Sequence, residues 1–452
     1  MARVGLAEHG AWVWSLSGRT SAGNSRPHGG MTATTPQAPA SKAGSPSRAR
    51  LSHPTSFTAI ALIFLLFTAA SAVPTPLYVV YQEAWGFSDT TITFIFAIYV
   101  AGLLGALLVV GALSDHIGRR PVLGAAIALE TIALLLFLFA GDIAVLSVAR
   151  FLQGIATGAA MTTMGAALVD LNPAHAPGRA GVVNSIVPLG GLAIGALGCG
   201  ALAQYAPEPT HLVFVLLLAG MVVAGAMVAR MPETSTLVPG ARQSLKPKVG
   251  IPVRLRPRVY SLIPIITASW ALGGLYLSLG PSVAANVFGL ESNLIGGLVV
   301  TLLCGTGAVT AFVLRDWTSD RLLNLAGLLL VAGMLVTMAG VILELALLSG
   351  AGTLIAGVGF GASALGSFGT LARIAGPDER GALFAVAFVI SYVTYSVPAL
   401  IAGVASSSSF GLKSTTIVYG TVVAILAVAA LAAQRHLAAR RAADEPDLQT
   451  RR

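Results

Sequence analysis

Residues 111–120 read Gly-Ala-Leu-Ser-Asp-His-Ile-Gly-Arg-Arg and form a tight charged cluster inside a long apolar stretch. No charged residue lies between Thr90 and Ser114, and Pro121 begins another apolar run. A short loop with one aspartate and two arginines between two lipid-soluble segments has to lie at a membrane surface, because charges are costly in the hydrocarbon core. The stretch therefore predicts a chain that crosses the membrane on both sides of this loop.

The composition of the whole chain agrees with a membrane protein. Its 452 residues are 55% hydrophobic and only 10% charged, whereas soluble domains carry about 25% charged residues. Spans exposed to lipid must be helices or a closed barrel, because every backbone polar group needs an internal partner. The apolar runs here are about 20 residues or longer, which is the length of a helical span. The sequence predicts an all-α membrane protein.

Windows with almost no charge predict twelve transmembrane helices. The windows are 56–80, 90–113, 121–141, 143–169, 180–203, 211–229, 259–288, 292–314, 322–347, 350–373, 381–406 and 414–434. The charge-free stretches 259–290 and 381–412 are too long for one straight span, so we expect them to include loops or tilted helix ends.

Basic residues give the orientation of these spans. Of the 27 Lys and Arg residues, 25 fall in the two tails or in the loops that follow even-numbered spans, whereas Lys413 stands in an alternate loop and Arg150 within a span. Positive residues favour the cytoplasmic side, which predicts a multi-pass protein with both termini cytoplasmic. Frequent use of Ala, Gly and Arg indicates a bacterial genome of high GC content, so we expect the bacterial inner membrane. The net charge of +9 then reflects the basic residues that set the orientation, and these residues are also attracted to anionic lipid. We therefore expect no nucleic-acid partner.

The chain divides into five regions. Residues 1–55 are rich in Ser, Ala, Gly, Pro, Thr and Arg, which predicts a disordered cytoplasmic tail, and Met31 is an alternative start that intact mass would distinguish from Met1. Residues 56–230 and 258–435 form two six-helix halves. A basic linker, 231–257, joins them, and residues 436–452 form a C-terminal tail. The two halves resemble an internal repeat, because Asp115 follows span 2 and Asp320 follows span 8, 205 residues later.

The 111–120 loop resembles the signature between the second and third helices of the major facilitator superfamily (MFS), Gly-x-Leu-x-Asp-(Arg)-x-Gly-Arg-(Arg/Lys). It departs from that pattern at His116, where arginine is usual. Residues 150–154, Arg-Phe-Leu-Gln-Gly, resemble a second signature, Arg-x-x-Gln-Gly. The resemblance implies a secondary transporter with twelve helices in two pseudo-symmetric six-helix bundles. Such a protein is not an enzyme and needs no cofactor.

The resemblance also implies a conformational latch in this loop. Its residues would be Gly111, Asp115, Gly118, Arg119, Arg120 and Asp170. The glycines allow a sharp turn, Asp115 would face the positive end of the eleventh helix near Gly381, and Arg119 would pair with Asp170 at the end of span 4. The latch would join the halves on the cytoplasmic side and favour the outward-open state. The alternative is a simple anchor of topology.

Two charges fall within spans of the N-terminal half, Arg150 and Glu130. Buried cations in a membrane are usually functional, and no carboxylate lies within one turn of Arg150 along the chain. Counted from the turn at Asp142, the depths of the two side chains differ by about 6 Å. Our hypothesis is a proton-linked pair in which Glu130 titrates. The alternatives are a structural ion pair and a glutamate that stays protonated.

Other spans supply candidates for coupling or for a substrate cavity. Exporters of this superfamily carry Gly-Pro-x-x-Gly-Gly in span 5, and this chain keeps only Pro188 and Gly191 of it, so antiport is suggested and an ordinary proline kink is the alternative. The remaining candidates are polar or aromatic: Gln153, Asn184, Trp270, Tyr276, Tyr392 and Tyr395. Aromatic residues with few charges suit an amphipathic cargo, although packing alone would also explain each of them.

The sequence therefore predicts proton-coupled efflux of small amphipathic drugs or metabolites by a monomer. One alternative is an importer or facilitator of a sugar-like or organic solute, and another is a transport-inactive membrane sensor or scaffold. The motifs of other classes are missing from the sequence, which has no Walker or Rossmann glycine loop and no zinc spacing among its two cysteines and seven histidines. We expect a small-molecule substrate, protons and the lipid bilayer as partners, and no metal.

Overall fold

The computed structural model describes residues 51–173, 175–176, 178–208, 210–247, 249–376 and 379–449, with side chains only up to 436. Twelve helices in this part of the chain are long and apolar enough to cross a membrane. They are α1 His53–Trp85, α2 Asp89–Val110, α3 Arg119–Leu138, α4 Ile143–Asp170, α5 Arg179–Tyr205, α6 Leu212–Arg230, α7 Arg256–Ser278, α8 Asn293–Val313, α9 Ser319–Leu343, α10 Ala346–Ile374, α11 Arg380–Ser406 and α12 Gly411–Gln449. The prediction of twelve spans is confirmed.

Local chemistry explains where several helices begin or bend. The Ser52 side chain accepts a hydrogen bond from the Thr55 N–H at the start of α1, and the Asp142 side chain accepts one from the Val145 N–H at the start of α4. Both are N-caps that satisfy a backbone donor left free by the first turn. Pro74 cannot donate a hydrogen bond and divides α1 into His53–Ala72 and Pro74–Trp85, but Val73 keeps helical dihedral angles.

The two long charge-free stretches resolve as expected into a span and a turn. Helix α7 ends at Ser278 and is followed by a separate short helix, Gly280–Asn286, while α11 ends at Ser406. The structure describes more of the C-terminal tail than of the N-terminal tail. The predicted disordered tail spans residues 1–55, of which 1–50 lie outside the described residues, whereas α1 already begins at His53 because Ser52 caps it. Helix α12 continues to Gln449, beyond the predicted end of its span at 434.

The helices form two halves, α1–α6 and α7–α12, which meet where α5 packs on α8 and where α2 packs on α11. Glycine makes the α5–α8 crossing close: a Cβ placed on Gly297 would lie 2.3 Å from the Ala196 carbonyl oxygen, and one on Gly200 would lie 2.6 Å from the Asn293 carbonyl oxygen. Small residues are what allow two membrane helices to approach to backbone contact. This crossing therefore depends on the absence of side chains.

The two ends of the bundle differ in charge and in closure. We call the end with the 111–120 loop and the linker the basic end, and the other the opposite end. Hydrogen bonds that join the halves among the described residues lie at the opposite end or midway. The Gln204 side-chain oxygen accepts from the Ser292 hydroxyl and the Asn293 N–H, and the Thr90 hydroxyl donates to the Gly403 carbonyl. The halves are thus joined at the opposite end in this conformation.

Candidate functional site

The 111–120 loop turns through a short helix, Leu113–Ile117, and then through Gly118, which has a φ of 106°. That backbone conformation strongly favours glycine. A Cβ on Gly118 would also lie 2.7 Å from a carboxylate oxygen of Glu233. The signature glycine is therefore required twice, once by the turn and once by the approach of the linker.

Arg119 is the centre of the loop. Its side chain is buried and contacts the carboxylates of Asp115, at 2.5 Å, and Asp170, at 3.1 Å, while it also donates to the Ser114 hydroxyl at 2.5 Å. The contact between Arg119 and Asp170 that the resemblance implies is present. The resemblance also implies that Asp115 faces the start of α11, but no such contact is found among the described residues. The Asp115 carboxylate is half exposed and contacts Arg119.

The linker docks on this loop through a segment that we call the linker strap, residues 232–240. The Glu233 carboxylate accepts from the backbone N–H groups of Arg119 (2.8 Å) and Arg120 (3.1 Å) at the start of α3. Gly118 offers no side chain to cap that helix. Glu233 therefore acts as an N-cap from a distant part of the chain, where a negative charge also favours the helix dipole.

Further contacts hold the linker strap in place. The Val238 N–H and the Ser235 hydroxyl donate to the Asp115 carbonyl, the Thr234 hydroxyl donates to the Asp170 carboxylate, and His116 bonds to the Val238 carbonyl at 2.6 Å. The departure at His116 thus supplies a contact to the strap. Sequence reasoning missed the strap, although Glu233 is the one acidic residue of a linker that is otherwise basic.

The contact of the Glu233 carboxylate with the start of α3 stabilises the folded state, and its contribution depends on pH. Burial would raise the pKa of its carboxyl, but four backbone N–H donors outweigh this and hold the pKa below its usual value of 4.5. Because the pKa is lower in the folded state, the stabilisation is present above pH 4.5 and is lost as the pH falls through the lowered value. We expect Glu233→Gln to lower the free energy of unfolding by about 1 kcal/mol at neutral pH, a typical cost for a lost cap.

Thermal unfolding of the purified protein in detergent measures this difference. This difference should shrink as the pH falls from 4.5 through the lowered pKa of Glu233, because the wild-type carboxyl is then neutral in the folded state as well. The matched control is Glu208→Gln, which changes an exposed carboxyl paired with His211 at the opposite end. Equal effects of the two substitutions would show that Glu233 contributes nothing beyond a surface charge.

A second cluster is buried midway through the N-terminal half and centres on Gln153. Its side-chain nitrogen donates to Glu130 Oε1 at 3.0 Å, and its oxygen accepts from Arg150 Nη1 at 2.6 Å. Arg150 also donates to the Ser71 carbonyl in α1 at 3.1 Å. Glu130 and Arg150 make no direct ion pair among the described residues. Gln153 instead bridges the carboxyl and the guanidinium of the hypothesised pair.

The cluster keeps unused hydrogen-bonding capacity. Glu130 Oε2 and Arg150 Nε are buried and have no hydrogen-bond partner. The Arg150 guanidinium carbon lies 4.3 Å from the Tyr99 ring centroid and 5.9 Å from that of Tyr78, so aromatic faces supply part of its stabilisation. Tyr99 belongs to α2, and sequence reasoning did not single it out.

Aromatic side chains gather between the halves beside this cluster. Trp270 of α7 lies 4.9 Å from Tyr392 and 5.7 Å from Tyr395 of α11, and Tyr395 lies 4.8 Å from Phe96 of α2, all between ring centroids. Three cavity candidates are thus brought together, and Phe96, one turn from Tyr99, connects them to the buried cluster.

The remaining candidates lie elsewhere. Tyr276 donates to the Thr353 hydroxyl of α10 at 2.7 Å, away from the aromatic group. Asn184 donates to the Gly165 carbonyl of α4, and Pro188 stands inside α5. Beside Pro188, a Cβ on Gly191 would collide with the Thr68 hydroxyl at 1.9 Å, so this glycine permits the contact between α5 and α1.

Comparison with known proteins adds the wider context. The model of the family described as Major Facilitator Superfamily matches residues 60–399. The gentisate transporter of Corynebacterium glutamicum is 23% identical over 364 residues, which cover 77% of this chain and 80% of that protein. The multidrug resistance protein MdtL of Klebsiella pneumoniae is 28% identical over 305 residues, 64% of this chain and 75% of that protein.

Solved structures share the fold. A bacterial homologue of the human lysosomal transporter Spinster, in an inward-facing and unoccupied conformation, superposes with a TM-score of 0.67 at 16% identity and covers 85% of this chain and 97% of its own. The human organic anion transporter MFSD10 gives a TM-score of 0.61 at 17% identity, with 84% and 100% covered.

Proposed function

This chain belongs to the Major Facilitator Superfamily, and from that premise we propose that it is a proton-coupled exporter of small amphipathic drugs or metabolites in the bacterial plasma membrane. As a member of this family it is a transporter and not an enzyme. The basic end is cytoplasmic in this proposal, because positive residues favour that side. The closed opposite end then makes the conformation inward-facing, one of the two states of alternating access.

The observation that carries the proposal is the bridge from Glu130 through Gln153 to Arg150. When Glu130 takes up or releases a proton, the charge on the carboxyl group that accepts from the Gln153 side-chain nitrogen changes. The side-chain oxygen of the same glutamine accepts from Arg150. Arg150 stacks on Tyr99 of α2, a helix that meets α11 of the other half. The protonation state of Glu130 can therefore affect the contact between α2 and α11, where the two halves meet.

The aromatic group between the halves supports an amphipathic cargo. Trp270, Tyr392 and Tyr395 offer ring faces and hydroxyl groups without a formal charge. Such surfaces bind planar apolar molecules by stacking and accept a single cation over a ring face. A relative named for multidrug resistance agrees with this class of substrate.

Flux in proteoliposomes tests the proposal. With the interior acid and the exterior neutral, an exporter that exchanges protons for cargo should accumulate a cationic amphipathic dye inside, and a protonophore should abolish the accumulation. Flux that does not depend on the pH gradient would support a facilitator instead. A lack of flux across a broad panel of compounds would favour a sensor or scaffold.

A second candidate is proton-coupled import of an organic anion. Arg150 is a buried cation with no carboxylate in direct contact among the described residues, and aromatic rings surround it. An aromatic carboxylate would match both features, and one relative is named a gentisate transporter. Uptake of a radiolabelled aromatic acid driven by an acid exterior would favour this candidate over export.

We also propose that the 111–120 loop is the latch of the outward-facing state. When the basic end closes, Asp115 would leave Arg119 and meet the positive start of α11, while Gly111, Gly118, Arg119, Arg120 and Asp170 hold the loop in shape. Arg120 already fixes the loop to the end of α6, where its side chain donates to the Val228 and Ala229 carbonyls.

The substitution Asp115→Asn tests the latch. The variant should insert and bind cargo but lose at least tenfold in turnover, since the neutral amide cannot stabilise the closed basic end by charge. Steady-state flux compared with equilibrium binding measures the split. Asp316→Asn, which changes an exposed aspartate of the corresponding loop in the second half, should transport normally. Normal turnover by Asp115→Asn would contradict the latch.

A further inference from the structure

Helices α2 and α11 belong to different halves and pack against each other midway through the bundle. There the ring centroids of Phe96 and Tyr395 lie 4.8 Å apart. From this contact toward the basic end, about 21 Å of helix leads to Val110 and about 22 Å leads to Arg380. The 111–120 loop and the start of α11 therefore lie at nearly the same depth. They are the two ends that approach each other when the basic end closes.

A carboxylate already stands at the start of α11. Glu379 immediately precedes the helix, and its side chain accepts from the Gly376 N–H at 3.2 Å. Asp378 stands next to it in the sequence. The helix dipole supplies only about half a positive charge at this end, which one carboxylate outweighs. If Asp115 approached this helix start directly, two carboxylates would repel each other, so the latch needs a cation between them.

Arg254, in the last turn of the linker before α7, supplies a cation at this place. Its guanidinium forms a salt bridge with the Glu379 carboxylate through Nη2. This is its one salt bridge among the described residues, and the Arg254 side chain remains 61% exposed. A guanidinium carries five N–H donors in a fixed plane. Its Nη1 and Nε groups are therefore available to a second carboxylate.

Two other arginines nearby do not have this arrangement. Arg380 is the first residue of α11, but its Nη2 donates to the Ala372 carbonyl near the end of α10 at 3.2 Å. Arg256 is exposed at the start of α7 and makes no salt bridge among the described residues. Of the three, Arg254 is the one that contacts the carboxylate which Asp115 would otherwise meet.

The Asp115 carboxylate can exchange its partner without leaving a buried charge unpaired. It is 49% exposed, and its described salt bridge is with Arg119. Arg119 also pairs with Asp170 at 3.1 Å and donates to the Ser114 hydroxyl. When Asp115 moves away, Arg119 keeps these two contacts.

We propose that Arg254 is the partner of Asp115 in the outward-facing state, where its guanidinium bridges Asp115 of the N-terminal half and Glu379 of the C-terminal half. In the conformation described here the same charges form two separate pairs, one in each half. Closure of the basic end exchanges the Asp115–Arg119 pair for the bridge. This role of Arg254 rests on the latch proposed above, and it makes the end of the linker a part of that latch.

Cross-linking of the purified protein in proteoliposomes measures how often the basic end closes. The reporters are Ala112→Cys, exposed just after α2, and Gly381→Cys, where an added Cβ meets nothing within 4 Å. The native Cys199 and Cys304 are replaced by serine in every sample. A short bismaleimide should join the two reporters at a rate that rises with the closed fraction, even where that fraction is small.

Substitution of Arg254 should slow this cross-linking. We expect Arg254→Gln to slow it about fivefold, near the upper end for a solvent-exposed ion pair. Arg256→Gln is the matched control, because it removes the same charge from an exposed arginine two residues away, and it should leave the rate unchanged. Equal effects of the two substitutions would mean that only the charge of the linker matters, which would overturn the bridge.

A double-mutant cycle separates the role of Arg254 from the latch itself. Asp115→Asn should also slow cross-linking about fivefold, and the double variant should be no slower than either single variant, because both remove one bridge. A loss of about 25-fold in the double variant would show independent effects and overturn the bridge. An effect of Asp115→Asn without one of Arg254→Gln would overturn the bridge alone, whereas no effect of Asp115→Asn would contradict the latch and the bridge together.

Removal of Glu379 tests why Arg254 is needed. In a Glu379→Gln background the carboxylate that opposes Asp115 is gone, so Arg254→Gln should slow cross-linking at most about twofold. The same fivefold loss in both backgrounds would overturn the bridge. Arg254→Lys covers the case in which Arg254→Gln does not insert. It keeps the charge but lacks the planar fork that reaches two carboxylates, so it should slow cross-linking at least twofold, and a wild-type rate would overturn the bridge.

Discussion

Replacement of Glu130 by glutamine should reduce transport driven by a proton gradient at least tenfold, while exchange of cargo across the membrane without a gradient continues. Glutamine has nearly the shape of protonated glutamate and can still accept from Gln153 Nε2, so the fold and the bridge to Arg150 should persist. What is lost is the group that binds and releases the proton. Gradient-driven flux and cargo counterflow, measured on the same proteoliposomes, separate the two effects.

A matched substitution controls for the loss of a carboxylate. Glu344 stands at the opposite end, where it is exposed and pairs with Lys413 at 2.6 Å. Glu344→Gln should transport like the wild type. If Glu130→Gln keeps full gradient-driven flux, the coupling role of Glu130 is excluded and the bridge is a structural element of the N-terminal half.

Replacement of Gly297 by valine should shift the protein out of the conformation described here and stop transport. A Cβ at this position would already lie 2.3 Å from the Ala196 carbonyl oxygen, so α5 and α8 cannot keep their contact at the opposite end. The two halves should then separate at that end. Transport needs both states, so we expect flux to fall at least tenfold although the protein still inserts.

Spin labels can follow this separation. Labels at Tyr205 and Leu347, which are 77% and 92% exposed at the opposite end, should show a longer distance in Gly297→Val than in the wild type. The native Cys199 and Cys304, both buried, would be replaced by serine in all samples. Gly198→Val is the control, because a Cβ there meets nothing within 4 Å. Unchanged distances in Gly297→Val would contradict the role of this crossing.

The number and order of the helices could be predicted because the decisive quantities are local. Runs without charge give the spans, and the loop from Gly111 to Arg120 identifies the family. The contact between Arg119 and Asp170 could also be expected, because the family resemblance implies an acidic partner for Arg119 at the end of span 4.

The missed features depend on tertiary distances that no local pattern contains. Glu130 and Arg150 were expected to pair because their depths in the membrane are similar. Depth does not fix the rotation of a helix, and the rotation of α4 places Gln153 between them. Glu233 is 113 residues from Arg120 along the chain, so the sequence shows only an acidic residue in a basic segment.

The linker strap shortens the connection between the halves. The linker has 27 residues by sequence, from 231 to 257, but its first part is fastened to the N-terminal half as far as the Val238 contact. Only about a dozen residues, from Ala241 to the turn at Val253, are left to span the gap, and fully extended they reach about 45 Å. This short tether must absorb any relative movement of the halves. The contacts of Val238 with Asp115 and His116 therefore set the length of the hinge.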